Sequence, residues 1–239
     1  MNNYYLSQEH SVAQISELSL SKIVCDNPWL IFFKTYNIEY QVLSLKRSDA
    51  IIFNTSSELY IILVGTLTIT KIIHTTRKIV LNLLSDGDIF GHSNLSNCSL
   101  YYEAQAINTA HLVCVKYNTI LNACRHYPCF NLFIVKQLLA CSTNSYNFVE
   151  VMSHKSISNR VVSLLLVLAE RHGTLSNNGI ILNFTITHKI LAQIIGSSRV
   201  TVTRILSELL KTKLITIQQR KIIIYNPILL SQRVLNKYK

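Results

Sequence analysis

The chain has 239 residues, of which 49% are hydrophobic, and it carries a formal net charge of +11. This length suffices for one large domain or two smaller ones, and this apolar content excludes a disordered chain. No apolar run approaches the roughly 18 residues of a membrane helix, and the N-terminus lacks the basic-then-apolar order of a signal peptide. We therefore expect a soluble, intracellular protein without a membrane partner.

Between residues 36 and 115 the sequence alternates short apolar runs with polar breaks. The runs have the length and alternation of β-strands, and the breaks are rich in Ser, Asn, Asp and Gly. Evenly spaced short strands of this kind predict a sandwich or a barrel. The predicted strands cover residues 39–45, 50–53, 59–64, 66–74, 78–84, 101–106 and 111–115.

The apolar period changes to that of a helix after Asn118. A short helix over residues 118–126 is predicted ahead of Pro128, which can open a long helix because the first helical turn needs no N–H there. A helix of about 25 residues is long for a globular protein and suits a two-stranded dimer seam; packing on the chain's own barrel is the alternative. Its predicted apolar stripe consists of Phe130, Phe133, Ile134, Leu138, Phe148, Val151 and Met152.

A polar hinge at residues 153–158 separates the long helix from the remaining chain. An amphipathic helix over 158–171, a strand over 179–182, a helix pair within 187–210 and a strand–turn–strand unit over 213–225 follow. The last unit has the pattern of a wing with a basic tip. The chain thus divides into a barrel domain over residues 1–127, a dimerisation helix over 128–153 and a winged helix-turn-helix domain over 154–239.

The positive charge is concentrated in the third part. From His154 to the end there are thirteen Lys and Arg against two acidic residues, whereas the preceding part holds ten of each. A basic segment joined to a neutral one is the electrostatic pattern of a DNA-binding domain attached to a partner domain.

The sequence of the helix pair, residues 187–210, predicts a helix-turn-helix. Gly196 can take the positive φ that reverses the chain after a short helix over residues 188–195, and Ser197 can cap a second helix over 198–210. Such a helix, with one apolar face and a polar opposite face, suits a DNA major groove, whereas a plain helical hairpin in a core would be apolar on both faces. The buried stripe is Val202, Ile205, Leu206 and Leu209; the opposite pole carries Val200, Arg204, Ser207 and Lys211, flanked by Arg199 and Thr203.

This order of parts, and the residues at its joints, resembles the Crp/Fnr family of dimeric transcription regulators. Residues 59–67 (LYIILVGTL) are similar to the family's strand–Gly–strand, and residues 86–91 (DGDIFG) to its turn into the effector pocket. Within the family, residues 154–163 and 196–206 (GSSRVTVTRIL) most resemble the global nitrogen regulators of cyanobacteria and their red-algal plastid homologue.

The resemblance implies an α+β fold with an N-terminal cyclic-nucleotide-binding-like β-barrel (jelly roll), a dimerisation helix and a C-terminal winged helix-turn-helix. It implies a homodimer that binds double-stranded DNA and contacts a bacterial-type RNA polymerase, in a plastid (chloroplast) stroma or, if the protein is bacterial, in the cytoplasm. Family activators contact polymerase through the loop that corresponds to residues 172–179.

The resemblance assigns base reading to Arg199, Val200 and Arg204. Catabolite-type members carry Glu where Val200 stands, so Val implies palindromic half-sites like GTA…TAC. Each Arg can bond guanine O6 and N7 bidentately, which contributes about 1–3 kcal/mol of discrimination. Expected phosphate contacts are Ser198, Thr201, Thr203, Lys189, Arg220 and Lys221.

The effector pocket departs from the family's patterns. The turn after Phe90 lacks the Glu and Arg of cAMP sensors, and Cys25 alone does not make the N-terminal cluster of iron–sulfur members. The nitrogen regulators bind 2-oxoglutarate, but Cys141 and Tyr146 stand where their long helix carries Arg and Glu. A dicarboxylate without a bidentate Arg binds poorly, so we expect weak 2-oxoglutarate binding or none. The implied effector residues are Phe90, Gly91, His92, Ser93, Cys141 and Tyr146.

Two functions therefore stay open: an effector-controlled regulator, and a constitutive DNA-binding dimer whose polar helix centre, residues 141–147, closes the pocket without a ligand. An enzyme is the third class. The sequence has no phosphate-binding Gly-rich loop, no H-E-x-x-H and no G-x-S-x-G, and its His and acidic residues form no constellation. We expect no catalytic site, no metal and no cofactor.

Overall fold

The computed structural model describes residues 27–53, 57–73, 77–91 and 101–235. The helices are α1 (Pro28–Thr35), α2 (Tyr117–His126), α3 (Pro128–Ser153), α4 (Ile157–His172), α5 (His188–Ile195), α6 (Arg199–Lys211) and α7 (Pro227–Leu235). The strands are β1 (Gln41–Leu45), β2 (Ala50–Phe53), β3 (Glu58–Val64), β4 (Leu67–Ile73), β5 (Arg77–Leu84), β6 (Ile89–Gly91), β7 (Tyr101–Ala106), β8 (Ala110–Lys116), β9 (Gly173–Ser176), β10 (Gly179–Leu182), β11 (Ile215–Gln218) and β12 (Lys221–Ile224). The predicted α+β fold is confirmed.

Two antiparallel sheets form the N-terminal domain. Within the described ranges, one sheet has the order β1-β8-β3-β6 and the other the order β2-β7-β4-β5. Alternate residues of the strands point into the space between the sheets, as the period of two requires. Aromatic and aliphatic side chains fill that space, among them Phe53, Tyr60, Leu67, Phe90, Ala104 and Leu112.

A second apolar cluster lies on the outer face of the first sheet. Trp29 and Phe33 of α1 and Phe130 at the start of α3 are almost fully buried there, against Val113 of β8 and Ile61 of β3. This cluster joins the beginning of the long helix firmly to the barrel.

The other end of α3 belongs to a different core. Phe148 and Val151 pack with residues of the C-terminal domain, and so do Leu83 and Ile107 of the barrel. One continuous apolar core therefore connects barrel, long helix and C-terminal domain. Leu138, which was predicted in the buried stripe of α3, is 52% exposed, because the middle of the helix faces away from both clusters.

The C-terminal domain is built around α4. Leu164, Leu165 and Leu168 of this helix are fully buried under α5, α6 and α7 and beside a sheet of order β11-β12-β10-β9. β6, β9 and α7 were not predicted as regular elements, and around α1 the sequence indicated only short helical turns over about residues 19–33. Among the described helices, none combines the length and apolar character that a membrane crossing requires.

Candidate nucleic-acid interface

Helix α6 presents the predicted reading face to solvent. Val202, Ile205, Leu206 and Leu209 are buried, as their helical spacing predicts. Arg199 and Arg204 are exposed, and Val200 is 79% exposed. Valine at such exposure gains nothing from folding, so this side chain is available for an apolar contact with a partner.

The turn ahead of α6 differs from the prediction in one residue: Ser198, not Ser197, caps the helix. Gly196 has φ +66°, and the backbone N–H of Ser197 donates to Ala192 O at 2.8 Å, which closes the end of α5 in a Schellman-type pairing. Ser197 is therefore part of the α5 terminus. The Ser198 Oγ accepts from Thr201 N at 3.1 Å and lies 2.8 Å from Thr201 Oγ1.

A side-chain hydrogen bond joins the first turn of α5 to the exposed face of α6. Thr187 caps α5 by accepting from Ile190 N. His188 Nδ1 lies 2.9 Å from Thr203 Oγ1, which also donates to Arg199 O at 2.8 Å. Thr203, predicted as a phosphate contact, is thus engaged in holding the two helices at their crossing angle.

The wing is a two-residue hairpin with an exposed basic tip. Strands β11 and β12 pair from Ile215–Ile224 to Gln218–Lys221, and the turn residues Gln219 and Arg220 have φ of +48° and +64°. Positive φ at both positions is the geometry of a type I′ turn, which usually requires Asn or Gly. Arg220 is exposed and Lys221 is half-buried.

These parts surround a groove of about 580 Å³. Lys189, exposed on the first turn of α5, Arg199 at the start of α6 and Arg220 at the wing tip all line it. Thus the structure brings together three of the predicted DNA contacts from three different elements. Arg47 of the barrel also lines this groove.

The hinge after α3 carries a contact that sequence reasoning missed. The Nε of Arg160 donates to His154 O at 2.8 Å, and its Nη1 donates to Ile195 O at 3.4 Å. Arg160 therefore ties the hinge to the C-terminal end of α5, next to the helix-turn-helix. The available sequence signal was a basic side chain in the first turn of an amphipathic helix, directly before Val161 and Val162.

The predicted effector residues do not meet at one place. Phe90 is buried and stacks on Tyr60 at a centroid separation of 5.1 Å, and Gly91 has φ +111° with the Glu58 carbonyl close behind it. The Cys141 Sγ lies 3.8 Å from Asp88 Oδ1 of the barrel, but Tyr146 is 71% exposed on another face of α3. His92 and Ser93 lie outside the described residues.

The barrel turn instead carries a buried ionic contact, which we call the Asp88 clasp: Asp88, Ser85, Asn144 and Arg171. Asp88 Oδ1 accepts from Asn144 Nδ2 at 2.7 Å, and Oδ2 accepts from Arg171 Nη2 at 2.5 Å and from Ser85 N at 2.8 Å. Arg171 Nη1 also donates to Leu83 O at 3.1 Å. The clasp joins barrel, α3 and α4, and its Asp88 side chain is only 4% exposed.

Burial also changes the titration of two groups beside the clasp. Desolvation raises the pKa of the Cys141 thiol above its usual value, with the Asp88 carboxylate adding to the effect. Desolvation lowers the pKa of His172 to about 4, and the adjacent Arg171 charge contributes. Both groups are therefore neutral at pH 7.

Taken together, a recognition helix, a basic wing and a long helix on a jelly-roll barrel define a DNA-binding transcription regulator with a cyclic-nucleotide-receptor architecture. The Crp-like helix-turn-helix domain family matches residues 159–233, and the cyclic nucleotide-binding domain family matches residues 42–127. The chain belongs to the Crp/Fnr family of transcription regulators.

Known proteins resemble this chain over nearly their whole length. It is 48% identical to the HTH-type transcriptional regulator ycf28 of Porphyra purpurea, over 99% of this chain and 100% of that protein. It is 27% identical to the global nitrogen regulator of a Synechocystis strain, over 87% of this chain and 96% of that one. The crystal structure of TTHB099 from Thermus thermophilus, a transcriptional regulator of the CRP family, superimposes with a TM-score of 0.66 at 19% identity, covering 80% of this chain and 96% of the other.

Proposed function

We propose that this regulator is a homodimer that reads a palindromic DNA site with half-sites like GTA…TAC, in nitrogen-related transcription. The observation that carries the proposal is the division of α6 into a buried face and an exposed face with Arg199, Val200 and Arg204. Arginine pairs with guanine edges, and a bare valine favours the methyl group of thymine, so this trio suits a half-site of mixed composition.

A seam on α3 supports the dimer. Apolar side chains recur there at spacings of three, four, seven and three residues, which fits the heptad pattern of a two-stranded coiled coil with the polar Ser142 at one seam position. All of them are exposed in the single chain, from 46% for Val135 to 71% for Tyr146, so a second copy of the chain would bury them. The seam consists of Leu132, Val135, Leu139, Tyr146 and Val149.

Fluorescence anisotropy with labelled duplexes tests the site preference. The full chain should bind a GTA…TAC palindrome at least 1,000-fold, on the order of 4 kcal/mol, more tightly than a duplex of scrambled sequence at the same salt concentration. Arg204→Ala should abolish discrimination at one G·C pair of each half-site. Equal affinity of the unaltered chain for both duplexes would contradict the proposal.

A second candidate is a dimer of the same kind that binds DNA without an effector. The Asp88 clasp favours it, because Asn144 and Arg171 already satisfy the charged turn of the barrel where a ligand-controlled contact would otherwise form. The aromatic side chains of Phe53, Tyr60 and Phe90 also fill the space between the sheets.

The two candidates differ in their response to 2-oxoglutarate. The effector-independent dimer gives no heat in a calorimetric titration and the same DNA affinity with or without millimolar 2-oxoglutarate. An effector-controlled dimer gives saturable heat and tighter DNA binding by at least the five-fold typical of allosteric coupling, about 1 kcal/mol. We expect the first outcome, since Cys141 and Tyr146 offer no charge to a dicarboxylate.

We further propose that the protein acts without catalysis, contacts a bacterial-type RNA polymerase and works in a plastid stroma, or in a bacterial cytoplasm. The similarity to red-algal and cyanobacterial regulators supports this setting. The β9–β10 hairpin is the proposed polymerase surface, because its Leu175 is 89% exposed. Leu175→Ala should lower transcription from a bound promoter without changing DNA affinity.

A further inference from the structure

A basic residue of the barrel lies beside the DNA-binding face. Arg47, in the turn between β1 and β2, lines the same groove as Lys189, Arg199 and Arg220. Among the described residues that line this groove, none is acidic. Four cations around one cleft raise its positive potential and favour an anionic occupant.

Arg47 is exposed, and no acidic residue in the described part of the chain forms an ion pair with it. The ion pairs between described residues are Lys78–Glu103, Arg171–Asp88 and Arg233–Glu208, and none of them includes Arg47. Glu103 lines the adjoining cavity between the barrel and α5, but Lys78 binds it at 2.6 Å. The Arg47 charge is therefore available to an external partner.

The turn that carries Arg47 is fixed on the barrel. The N–H of Ser48 donates to Ala106 O at 2.8 Å, the N–H of Ala106 donates to Asp49 O at 2.9 Å, and the N–H of Lys46 donates to Asp49 Oδ2 at 2.8 Å. Ser48 is held at φ +76°, a region that favours glycine. Because these hydrogen bonds already fix the backbone of the turn, Arg47 loses little backbone entropy when it binds a partner.

We propose that Arg47 binds a phosphate of the DNA backbone, so that the barrel itself forms part of the DNA-binding surface. This inference rests on the proposed function. The occupant is duplex DNA rather than a free anion, because the groove continues to the first residue of α6 and to the wing tip, two elements that bracket a DNA strand. Since Arg47 moves with the barrel, the contact forms only when barrel and C-terminal domain keep this relative position.

Salt-dependent DNA binding of Arg47→Gln tests the proposal, with Arg125→Gln as the control. Arg125 is an exposed arginine at the end of α2 and does not line the groove, so the control loses the same charge from the same domain. A lost phosphate contact flattens the slope of log K against log salt by about 0.9 per contact, on both palindromic and random duplexes. We expect this flattening, with roughly five-fold weaker binding, in Arg47→Gln alone.

Neutral methylphosphonates, placed one at a time along the palindrome, then locate the contact. At one position in each half-site the substitution should weaken binding by Arg125→Gln but not by Arg47→Gln. Identical salt slopes and identical methylphosphonate profiles for the two variants would overturn the role of Arg47. If the unaltered chain shows no preference for the palindrome, the proposed site preference fails, while the two variants still decide the role of Arg47 on random DNA.

Discussion

At the scale of single residues, the identity of residue 200 should set the base preference. Val200 is the most exposed apolar side chain of the recognition helix, and a carboxylate in its place can accept a hydrogen bond from cytosine N4. Val200→Glu should therefore shift the preferred base pair facing this position from A·T to G·C, by about 1–3 kcal/mol. Anisotropy against the four base pairs at each half-site position measures the shift.

Val200→Ala is the matched control for this change. It removes apolar surface without adding an acceptor, so it should weaken binding without a new preference. If Val200→Glu keeps the original preference, residue 200 does not face a base.

At the wing tip, a charged residue that is expected to contact DNA occupies an unfavourable backbone conformation. Arg220 occupies a left-handed conformation at φ +64°, which costs a non-glycine residue about 1–2 kcal/mol. Arg220→Gly should raise the free energy of unfolding by roughly 1 kcal/mol and weaken binding to all DNA sequences alike. Urea unfolding and anisotropy measure the two effects on the same sample.

Gln219→Gly separates these two effects, because Gln219 shares the strain at φ +48° but carries no charge. This variant should be stabilised and should bind DNA unchanged. Weaker DNA binding by Gln219→Gly would mean that the wing geometry, and not the Arg220 charge, is what DNA recognises.

At the scale of elements, α7 was not predicted and α1 was expected only as short helical turns, although the start signals of both helices are present in the sequence. Asn27-Pro28 and Asn226-Pro227 each pair an N-cap residue with a proline at the first helical position, and the Asn side chains accept from Trp29 N and from Ile228 N. With the proline that opens α3, every proline of the chain begins a helix. Period alone could not find α1, because Trp29, Leu30 and Phe33 bury one face while the short helix is apolar nearly all round.

The recognition helix could be predicted because one face is buried and the other is not, so sequence period and packing agree. The clasp could not, since Asp88 and Arg171 are 83 residues apart and only the docking of α4 on the barrel brings them together. For the same reason Arg47 looked like an ordinary turn residue. Predicted strand pairing can indicate which residues lie next to the Arg47 turn within the sheet, but it does not indicate which residues of another domain lie near Arg47.

If the seam on α3 is the dimer interface, one charged residue introduced into the seam should dissociate the dimer. Leu139 lies at the centre of the seam and is 64% exposed in the single chain. Leu139→Asp should give a monomer in light scattering after size exclusion, with DNA affinity for the palindrome lower by at least 100-fold, since one half-site remains and avidity is lost. Ala140→Asp, an exposed neighbour outside the seam, should stay dimeric. A dimeric Leu139→Asp chain would place the interface elsewhere.

The C-terminal end of α4 should make folding sensitive to acid. The folded chain holds His172 neutral down to about pH 4, because of burial first and the Arg171 charge second, whereas the unfolded chain protonates near pH 6.5. Protonation therefore favours the unfolded state, so stability is full above pH 6.5 and falls between pH 6.5 and 4, at up to about 1.4 kcal/mol per pH unit. Urea unfolding at pH 7, 6 and 5 measures the slope.

His172→Gln should reduce this slope, and His126→Gln, at an exposed position, should keep it. An unchanged slope in His172→Gln would assign the acid sensitivity to other groups.

At the scale of the whole molecule, the barrel, the long helix and the C-terminal domain are held in one arrangement by two unlike devices. The apolar core that contains Leu83, Phe148 and Val151 is non-directional and permits sliding. The Asp88 clasp is directional, because Arg171 and Asn144 approach the same carboxylate from two different helices. We infer that the clasp sets the angle at which the C-terminal domains meet DNA.

Asp88→Asn tests this role, because we expect it to weaken binding to the palindrome, whereas its change in charge alone would strengthen that binding. The change raises the net charge of a DNA-binding protein, which by charge alone strengthens binding. It also leaves the Arg171 guanidinium without its carboxylate, so the domain angle loosens and palindrome binding should weaken by roughly ten-fold, the cost of a lost preorganisation of about 1.4 kcal/mol. Binding to random DNA does not require a fixed spacing between the two recognition helices of the dimer. The variant should therefore bind random DNA as tightly as the unaltered chain, or more tightly. Anisotropy on both duplexes, with Glu39→Gln at an exposed position as a control of equal charge, decides between these two effects. Tighter palindrome binding by Asp88→Asn would show that the clasp does not orient the domains.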